Sequence, residues 1–364
     1  MDPRDVADAA EAATLGAFLL DPAPLGEVRR WLRPGDFADS WHRWVFTAVL
    51  ERHTAGQRVD PLVVGADLSS RYGTRLADLP RLHTLVAGTP HPGHGPEYAR
   101  IVAESGVRRE TAGLGVLLRA AAAQSAFDHS PVPVAATCNL VDAGLDTAAA
   151  RWATATGRPH EQVVVPLALR AAARNGEARE GAARYLDVHP SRDPAAEHAH
   201  VIALVGTLIA HPEHIATVAA WLPAARIGDP AWRLIYATTV ELAELGQPVD
   251  LVTVAAASTR YAHHGPTLPT LVELGDVVDA GWLAWPPHLV RTVAGDLLRS
   301  LADIGADQLR AAAANPGVQI GDIADIGHAL TTALRHTATA LPAAAQDRAT
   351  QPVQPATRLQ GLGR

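Results

Sequence analysis

Lysine is absent from this chain of 364 residues, and cysteine occurs once, at Cys138. A single cysteine excludes an intramolecular disulfide framework and a zinc site built from several thiolates. Without lysine the chain cannot form the P-loop G-x-x-x-x-G-K-[ST], whose lysine contacts nucleotide phosphates. The G-x-S-x-G and H-E-x-x-H motifs of hydrolases and zinc proteases are also missing. We therefore expect no enzymatic activity, no cofactor and no resident metal.

Acidic residues outnumber basic ones, and the formal net charge is −7. Nucleic-acid-binding proteins usually carry a basic surface that neutralises phosphates, so we expect this chain to contact DNA only indirectly. The first 20 residues lack the positively charged start of a signal peptide. No uncharged apolar run reaches the roughly 18 residues of a membrane span. These features predict a cytoplasmic protein without membrane contact.

One cassette occurs twice, as "DSWHRWVFTAVLERHTAGQRVD" at 39–60 and "DPAWRLIYATTVELAELGQPVD" at 229–250. In each copy an aspartate precedes an amphipathic helical pattern, a glycine follows it, and a second aspartate opens the next helix. Aspartate is a preferred N-cap, and glycine is the residue that most readily adopts the left-handed conformation after a helix. The predicted caps are Asp39, Asp60, Asp229 and Asp250, and the predicted helix-ending glycines are Gly56 and Gly246.

The duplication extends beyond the cassette. Residues 15–32 match 205–222 at the same spacing, and residues 97–109 match 288–300. A second helical stretch follows each copy, so each copy is predicted to end in an antiparallel helical hairpin. Glycines interrupt the first hairpin at Gly106, Gly113 and Gly115. The second shows an apolar stripe formed by Val290, Val293, Leu297, Leu301 and Ile304.

The predicted fold is all-α, with two tandem domains that each consist of a small helical globule and a hairpin. The first domain is predicted at 8–156 and a divergent second copy at 197–342. Residues 157–196, which mix Gly, Pro and charge, are predicted to form a partly helical linker. The tail at 343–364 has too little apolar content to fold and is predicted to be disordered.

The segments "LGAFLLDP", "DFADSWHRWVFTAVL" with "GQRVD", "AGTPHPG" and "EYARIVAESGVRRE" resemble the N-terminal domain of DnaB-type replicative helicases. This helical collar domain precedes the helicase motor. The resemblance covers the whole first copy. The second copy keeps the order of segments but has Arg226-Ile227 for Asp-Phe and "DAGWLAWPP" for the Thr-Pro segment. The resemblance therefore implies two tandem DnaB N-terminal-like domains without the ATPase motor.

In that family these domains pair through their hairpins, form the collar around the ring and receive the primase. The resemblance implies a non-catalytic protein-interaction module in DNA replication, which binds helicase or primase or associates with itself through its hairpins. Two copies in one chain would make the pairing intramolecular. Two alternatives stay open, a primase-like module that binds helicase and a DNA-binding accessory protein. The partners are expected to be macromolecules, since no substrate pocket is predicted.

Two basic clusters are candidate contacts for an acidic partner, because arginine is enriched at protein interfaces. The candidate interaction residues are Arg29, Arg30, Arg33, Arg108 and Arg109. Residues at recurring positions of the two copies are assigned structural roles instead. They are Trp31, Trp41, Asp60, Trp221, Trp232 and Asp250.

The 17 histidines provide the remaining argument for an enzyme. Three nitrogens and a carboxylate would suffice for zinc, but the spacings are loose, and helix-end histidines in solvent explain them better. Cys138 is predicted to be a buried, unreactive thiol. The histidines considered are His83, His91, His94, His198, His200, His211 and His214.

Overall fold

The computed structural model describes residues 3–73, 78–159, 163–189, 191–262 and 265–341. The tail predicted to be disordered, 343–364, lies outside these residues. All regular secondary structure in the described ranges is helical, which confirms the all-α prediction.

The first copy forms a series of helices that ends in a broken hairpin. They are α1 (Pro3–Leu20), α2 (Leu25–Val28), α3 (Ser40–Thr54), α4 (Pro61–Tyr72), α5 (Leu79–Ala87), α6 (Gly95–Ala112), α7 (Leu114–Asp128) and α8 (Val132–Thr156). A short 3₁₀ turn, Pro34–Asp36, joins α2 to α3. The helix break falls at Gly113, one of the three glycines that interrupt the sequence pattern.

The rest of the chain repeats this order after two connecting helices. The connecting helices are α9 (Leu167–Ala173) and α10 (Gly176–Val188). The repeated helices are α11 (Pro194–Ala210), α12 (Ile215–Ala219), α13 (Pro230–Glu244), α14 (Leu251–Tyr261), α15 (Leu271–Leu283), α16 (Pro286–Ala314) and α17 (Ile320–Ala338). A 3₁₀ turn, Ala224–Arg226, precedes α13 as in the first copy. The long helix α16 is continuous, whereas its counterpart is divided into α6 and α7.

The helix ends follow the sequence pattern. Each of the four predicted N-cap aspartates accepts two backbone N–H groups of the helix that it opens. Gly56 and Gly246 have φ angles of 65° and 63°, in the left-handed region that glycine adopts without steric cost. The duplicated cassette thus codes for the same pair of helices in both copies.

The chain divides into two compact units. Unit 1 comprises 1–117, 139–181 and 305–331, and unit 2 comprises 118–138, 182–304 and 332–364. These boundaries run through the hairpin helices and do not follow the sequence repeats. The predicted division at 8–156, 157–196, 197–342 and 343–364 stays a prediction about the repeats.

A close helix crossing recurs in each unit. In unit 1, a Cβ added at Gly16 on α1 would lie 2.3 Å from the carbonyl oxygen of Leu85 on α5. In unit 2, a Cβ at Gly206 on α11 would lie 2.4 Å from the carbonyl oxygen of Val277 on α15. Both distances are too short for any side chain. The Leu-Gly and Val-Gly pairs of the sequence therefore mark the same crossing.

The apolar stripe predicted on α16 is partly wrong. Leu298 and Ala306 are fully buried, whereas the predicted Ile304 is 53% exposed and Leu297 is only partly buried. The predicted stripe repeats every 3.5 residues, but a straight helix has 3.6 residues per turn and drifts about 20° per heptad. Over two heptads this drift rotates the buried face by about 40°, a little under half of the roughly 100° between successive helix residues.

No single helix in the described ranges is long and apolar enough to cross a membrane. One bent pair, Pro194–Ala210 with Pro212–Ala219, passes the same test of length and composition, with a bend of 112°. The cytoplasmic location inferred from the sequence stays a prediction.

Candidate interaction surfaces

Arg108 contacts the turn of the second helical hairpin. We call α6, α7 and α8 hairpin 1, and α16 with α17 hairpin 2. Within unit 1, the Arg108 guanidinium donates hydrogen bonds to the carbonyls of Asn315 at 2.9 Å and Val318 at 2.8 Å. It also pairs with Glu104, at 2.7 Å. Carbonyls beyond a helix end lack N–H donors from their own helix, and the Arg108 guanidinium provides donors for these two. This candidate interaction residue thus binds the second copy of its own chain.

A histidine of hairpin 2 lies between two carboxylates of hairpin 1, also in unit 1. His328 on α17 places its two ring nitrogens 3.0 Å from Asp142 and 3.0 Å from Asp146 on α8. The hydroxyl of Thr331, on α17, donates to Asp142 at 2.6 Å. The two aspartates are four positions apart and so lie on one face of α8. This polar cluster fixes the register of α8 against α17.

Hairpin contacts also occur in unit 2. The Arg119 guanidinium on α7 donates to the carbonyl of Asp303 on α16 at 3.2 Å. A Cβ built on Gly295 of α16 would lie 3.1 Å from the Cβ of Ala126 on α7. Hairpin 1 therefore packs against hairpin 2 within the same chain.

A buried ion cluster lies behind the first basic motif, in unit 1. Nη1 of Arg151 on α8 is 2.7 and 2.9 Å from the two carboxylate oxygens of Asp36, and Nη2 lies 3.2 Å from Glu110. The side chains of Arg151 and Asp36 are 3% and 4% exposed. Burial raises the pKa of the Asp36 carboxyl, and the Arg151 guanidinium opposes that rise. The Arg109 guanidinium donates to the carbonyl of Asp36.

Sequence reasoning did not find this cluster. Asp36 was noticed as half of an Asp-Phe pair, but Arg151 lies 115 positions later and no local pattern marks it. The glycine at position 106, inside a helical pattern, was the available signal in the sequence. A Cβ on Gly106 would lie 2.3 Å from Oδ1 of Asp36, so this glycine makes room for the carboxylate.

The second copy keeps the scaffold without the ion cluster. Arg43 donates to the carbonyl of Phe37 at 3.1 Å, and Arg233 donates to the carbonyl of Ile227 at 2.8 Å. Both arginines thus hold the start of their helix in the same way. Arg226 stands at the position of Asp36, so the buried carboxylate belongs to the first copy alone.

The other candidate arginines differ in exposure. Arg29 and Arg30 are exposed, and Arg33 is partly buried. Burial, followed by repulsion from Arg151 and Arg174, lowers the pKa of Arg33 to about 10. The structure gives these three guanidinium groups no hydrogen-bond or ion-pair partner in the described ranges. Their binding to a partner stays a prediction.

The recurring tryptophans are all buried. Trp31, Trp41, Trp221 and Trp232 are 2 to 8% exposed. Asp60 and Asp250 accept hydrogen bonds as N-caps of α4 and α14. The equivalence of Trp41 and Trp232 is inexact, however, because Trp41 is the second residue after its cap and Trp232 the third. The counterpart of Trp232 is His42, whose ring nitrogen lies 2.9 Å from the buried Glu11.

The histidines are dispersed or bound to carboxylates. Among the described residues, no group of three or more His, Cys, Asp and Glu side chains has the geometry of a metal site. His200 lies 2.7 Å from Asp296, and His91 stacks on His94 with ring centroids 4.2 Å apart. Cys138 is buried.

Comparison with known proteins matches one family to two segments of the chain. The family model for the DnaB-like helicase N-terminal domain matches residues 4–104 and 192–267. The replicative DNA helicase DnaB of Mycobacterium leprae is 36% identical over 108 residues, which are 29% of this chain and 18% of that protein. The Geobacillus stearothermophilus DnaB is 37% identical over 101 residues, 28% of this chain and 22% of that protein.

A solved structure gives a match of similar extent. The crystal structure of the N-terminal domain of DnaB helicase from Mycobacterium tuberculosis is 35% identical in sequence. The match covers 30% of this chain and 79% of that one, with a TM-score of 0.29. This chain thus spans about a fifth of the length of the curated relatives, and the matched part is their N-terminal domain.

Proposed function

The chain carries two segments of the DnaB-like helicase N-terminal domain, and we propose that it is a non-catalytic interaction module of DNA replication. Its proposed partners are the replicative helicase and the primase of its host. The matched segments correspond to the N-terminal domain of the replicative helicases, which forms their collar. The buried Asp36 and the partly buried Glu110 are bound to Arg151, which favours a structural role for the two carboxylates.

The observation that carries this proposal is the packing of hairpin 1 against hairpin 2 within one chain. Collar domains of replicative helicases pair through such hairpins, so a tandem of two forms a pseudo-dimer. Covalent linkage gives the two copies an effective concentration on the order of millimolar, which favours pairing inside the chain over pairing between chains. The hairpin faces are then occupied, and the globules supply the surface for a partner.

One exposed apolar position recurs on the two globules. Leu62 on α4 is 72% exposed and Val252, at the matching position of α14, is 68% exposed. Each follows an N-cap aspartate, Asp60 or Asp250, by two residues. Exposed single apolar side chains are ordinary, but the same exposure in both copies favours use as a contact. We include this position in the proposed binding surface.

Purified host helicase and primase, each immobilised, test the proposal by capture of the full chain. Binding of one of them, weakened by Leu62→Ser and Val252→Ser, supports it. Leu245→Ser is the matched control, because Leu245 is similarly exposed but corresponds to Ala55 in the first copy. Failure of both proteins to bind the chain would refute the proposal.

The same experiment separates the two roles that the fold allows. A collar-like chain offers the surface that receives primase, and capture by primase alone supports that role. A primase-like chain offers the surface that binds helicase, and capture by helicase alone supports that alternative.

A further inference from the structure

Unit 1 contains an arginine-lined cavity whose lining does not include the proposed contact residue Leu62. Its volume is about 620 Å³, and it lies against the turn after α2, the C-terminal half of α8 and the segment before α9. Five arginines line it, against a single carboxylate, that of Asp146. Asp146 is already bound to His328. The lining arginines are Arg30, Arg33, Arg151, Arg158 and Arg170.

Two guanidinium Nε groups beside this cavity have no hydrogen-bond partner among the described residues. Arg151 is 5% exposed, and its Nε makes no hydrogen bond to the residues that the structure describes. The Nε of Arg170 is likewise buried and unbonded in the described ranges, although its Nη2 donates to the carbonyl of Val165 at 3.0 Å. Both Nε atoms are closed to solvent, so only the outer guanidinium nitrogens of the lining arginines can reach a ligand in the cavity.

Arginines that line the cavity, and Arg174 near Arg33, also repel one another. Arg33 is partly buried beside Arg151 and Arg174, and its pKa falls to about 10. The pKa of Arg174 is also lowered, first by burial and then by repulsion from Arg151 and Arg170. Asp36 and Glu110 offset part of this charge, and both are bound to Arg151. A bound anion would relieve the remaining repulsion.

The second copy shows that the scaffold does not need these arginines. Arg30 and Arg33 correspond to Ala220 and Pro223 at the spacing of 190 positions that aligns Trp31 with Trp221. The second copy forms the same short helix and 3₁₀ turn with neutral residues in these places. The arginines of the first copy are therefore additions to a fold that forms without them.

We infer that this cavity binds a small phosphate-bearing anion of nucleotide size, with Arg30, Arg33 and Arg170 as the principal donors. Guanidinium groups match phosphate oxygens in charge and in paired hydrogen-bond geometry. The volume falls within the range of small-molecule sites. Val163, Val164 and Val165 provide an apolar wall beside the arginines. The net charge of −7 disfavours a nucleic acid as the ligand. The inference goes beyond the proposed function and does not depend on it.

Isothermal titration of the full chain with pyrophosphate, with ATP and with a short single-stranded oligonucleotide tests the inference. We expect saturable binding of one pyrophosphate or ATP per chain. Arg33→Ala and Arg30→Ala should each weaken that binding about tenfold or more. Arg29→Ala is the matched control, since Arg29 is exposed on the same turn but does not line the cavity, and it should bind like the unmodified chain.

Circular dichroism and thermal unfolding of each variant separate lost binding from lost folding. If Arg33→Ala does not fold, Arg170→Ala and Arg30→Ala carry the test. No binding of pyrophosphate or ATP at low ionic strength would overturn the inference. Equal weakening by Arg29→Ala would attribute the binding to general surface charge and would also overturn it. A clear preference for the oligonucleotide would replace it with a nucleic-acid site.

Discussion

The guanidinium of Arg108 donates to the backbone carbonyl of Val318, 210 positions later in the chain, at 2.8 Å. This bond joins α6 of the first repeat to the turn of the second repeat's hairpin. A sequence duplication alone does not require any contact between its copies. The bond, together with His328 at Asp142 and Asp146, means that the two repeats share a folded unit.

Arg108→Ala should lower the free energy of unfolding by roughly 1.5–3 kcal/mol, the range for hydrogen bonds that involve a charged group. The Arg108 side chain is 14% exposed, so water replaces the lost donors poorly. Urea unfolding followed by circular dichroism measures the change. Arg310→Ala is the control, because Arg310 lies near the same turn in an exposed pair with Asp307 and should have little effect. Equal effects of the two substitutions would contradict the assigned role of Arg108.

Arg151→Met should be strongly destabilising, by roughly 3–5 kcal/mol, because it leaves the buried Asp36 and the partly buried Glu110 without their bound cation. Adding Asp36→Asn to Arg151→Met should recover part of that loss, since the unpaired buried charge is removed. A double-mutant cycle from chemical denaturation gives the coupling between the two residues. Strictly additive effects would show that they do not act as a pair.

Gly106→Ala should destabilise the protein by roughly 1–3 kcal/mol, the cost of overpacking a filled site. The new Cβ would meet Oδ1 of Asp36 at 2.3 Å and its Cα at 2.7 Å. Gly181→Ala, in α10, adds a Cβ that meets nothing within 4 Å and should stabilise by up to about 1 kcal/mol. Thermal unfolding of the two variants should therefore shift in opposite directions. A rise in Tm for Gly106→Ala would contradict the close approach to Asp36.

Asp39 gives a prediction about pH. Burial raises the pKa of its carboxyl, but hydrogen bonds from Arg81, His42 and Trp41 outweigh burial and lower the pKa below the usual 3.8. A lowered folded-state pKa means that the carboxylate stabilises the fold above pH 3.8, and that this contribution is lost as pH falls through the folded value.

Asp39→Ala should accordingly cost about 1 kcal/mol at pH 7, a typical value for an N-cap. The difference from the unmodified chain should narrow as pH falls below about 4. Unfolding free energies measured at both pH values check this. Asp39→Asn, which keeps the capping oxygen without the charge, is the control, and a constant difference for Asp39→Ala would contradict the assignment.

Local chemistry was predicted well from the sequence. The four N-cap aspartates and the left-handed Gly56 and Gly246 follow from short-range rules. Each depends on a residue and its nearest neighbours along the chain, which the sequence shows directly. The sequence also predicted that glycines interrupt the first hairpin, without showing which of the three would break the helix.

Contacts between distant segments were not predicted. The Arg151–Asp36 pair and the Arg108–Val318 bond join residues more than 100 positions apart, and periodicity contains no information about them. In the sequence Gly106 only interrupts a helical pattern, because its neighbour in the folded chain, Asp36, could not be known. The drift of the buried face along α16 was missed because it accumulates over two heptads.

The pairing of the hairpins within one chain is tested most directly by Ala126→Cys combined with Gly295→Cys. The two Cβ positions are 3.1 Å apart, slightly closer than the roughly 3.5–4.5 Å of a disulfide, and a small shift of the helices suffices. After oxidation of a dilute sample, non-reducing electrophoresis and mass spectrometry should show a cross-linked monomer of 38.3 kDa. Variants with only one of the two new cysteines beside the buried Cys138 should remain unlinked. Cross-linked dimers without a cross-linked monomer would contradict the pairing.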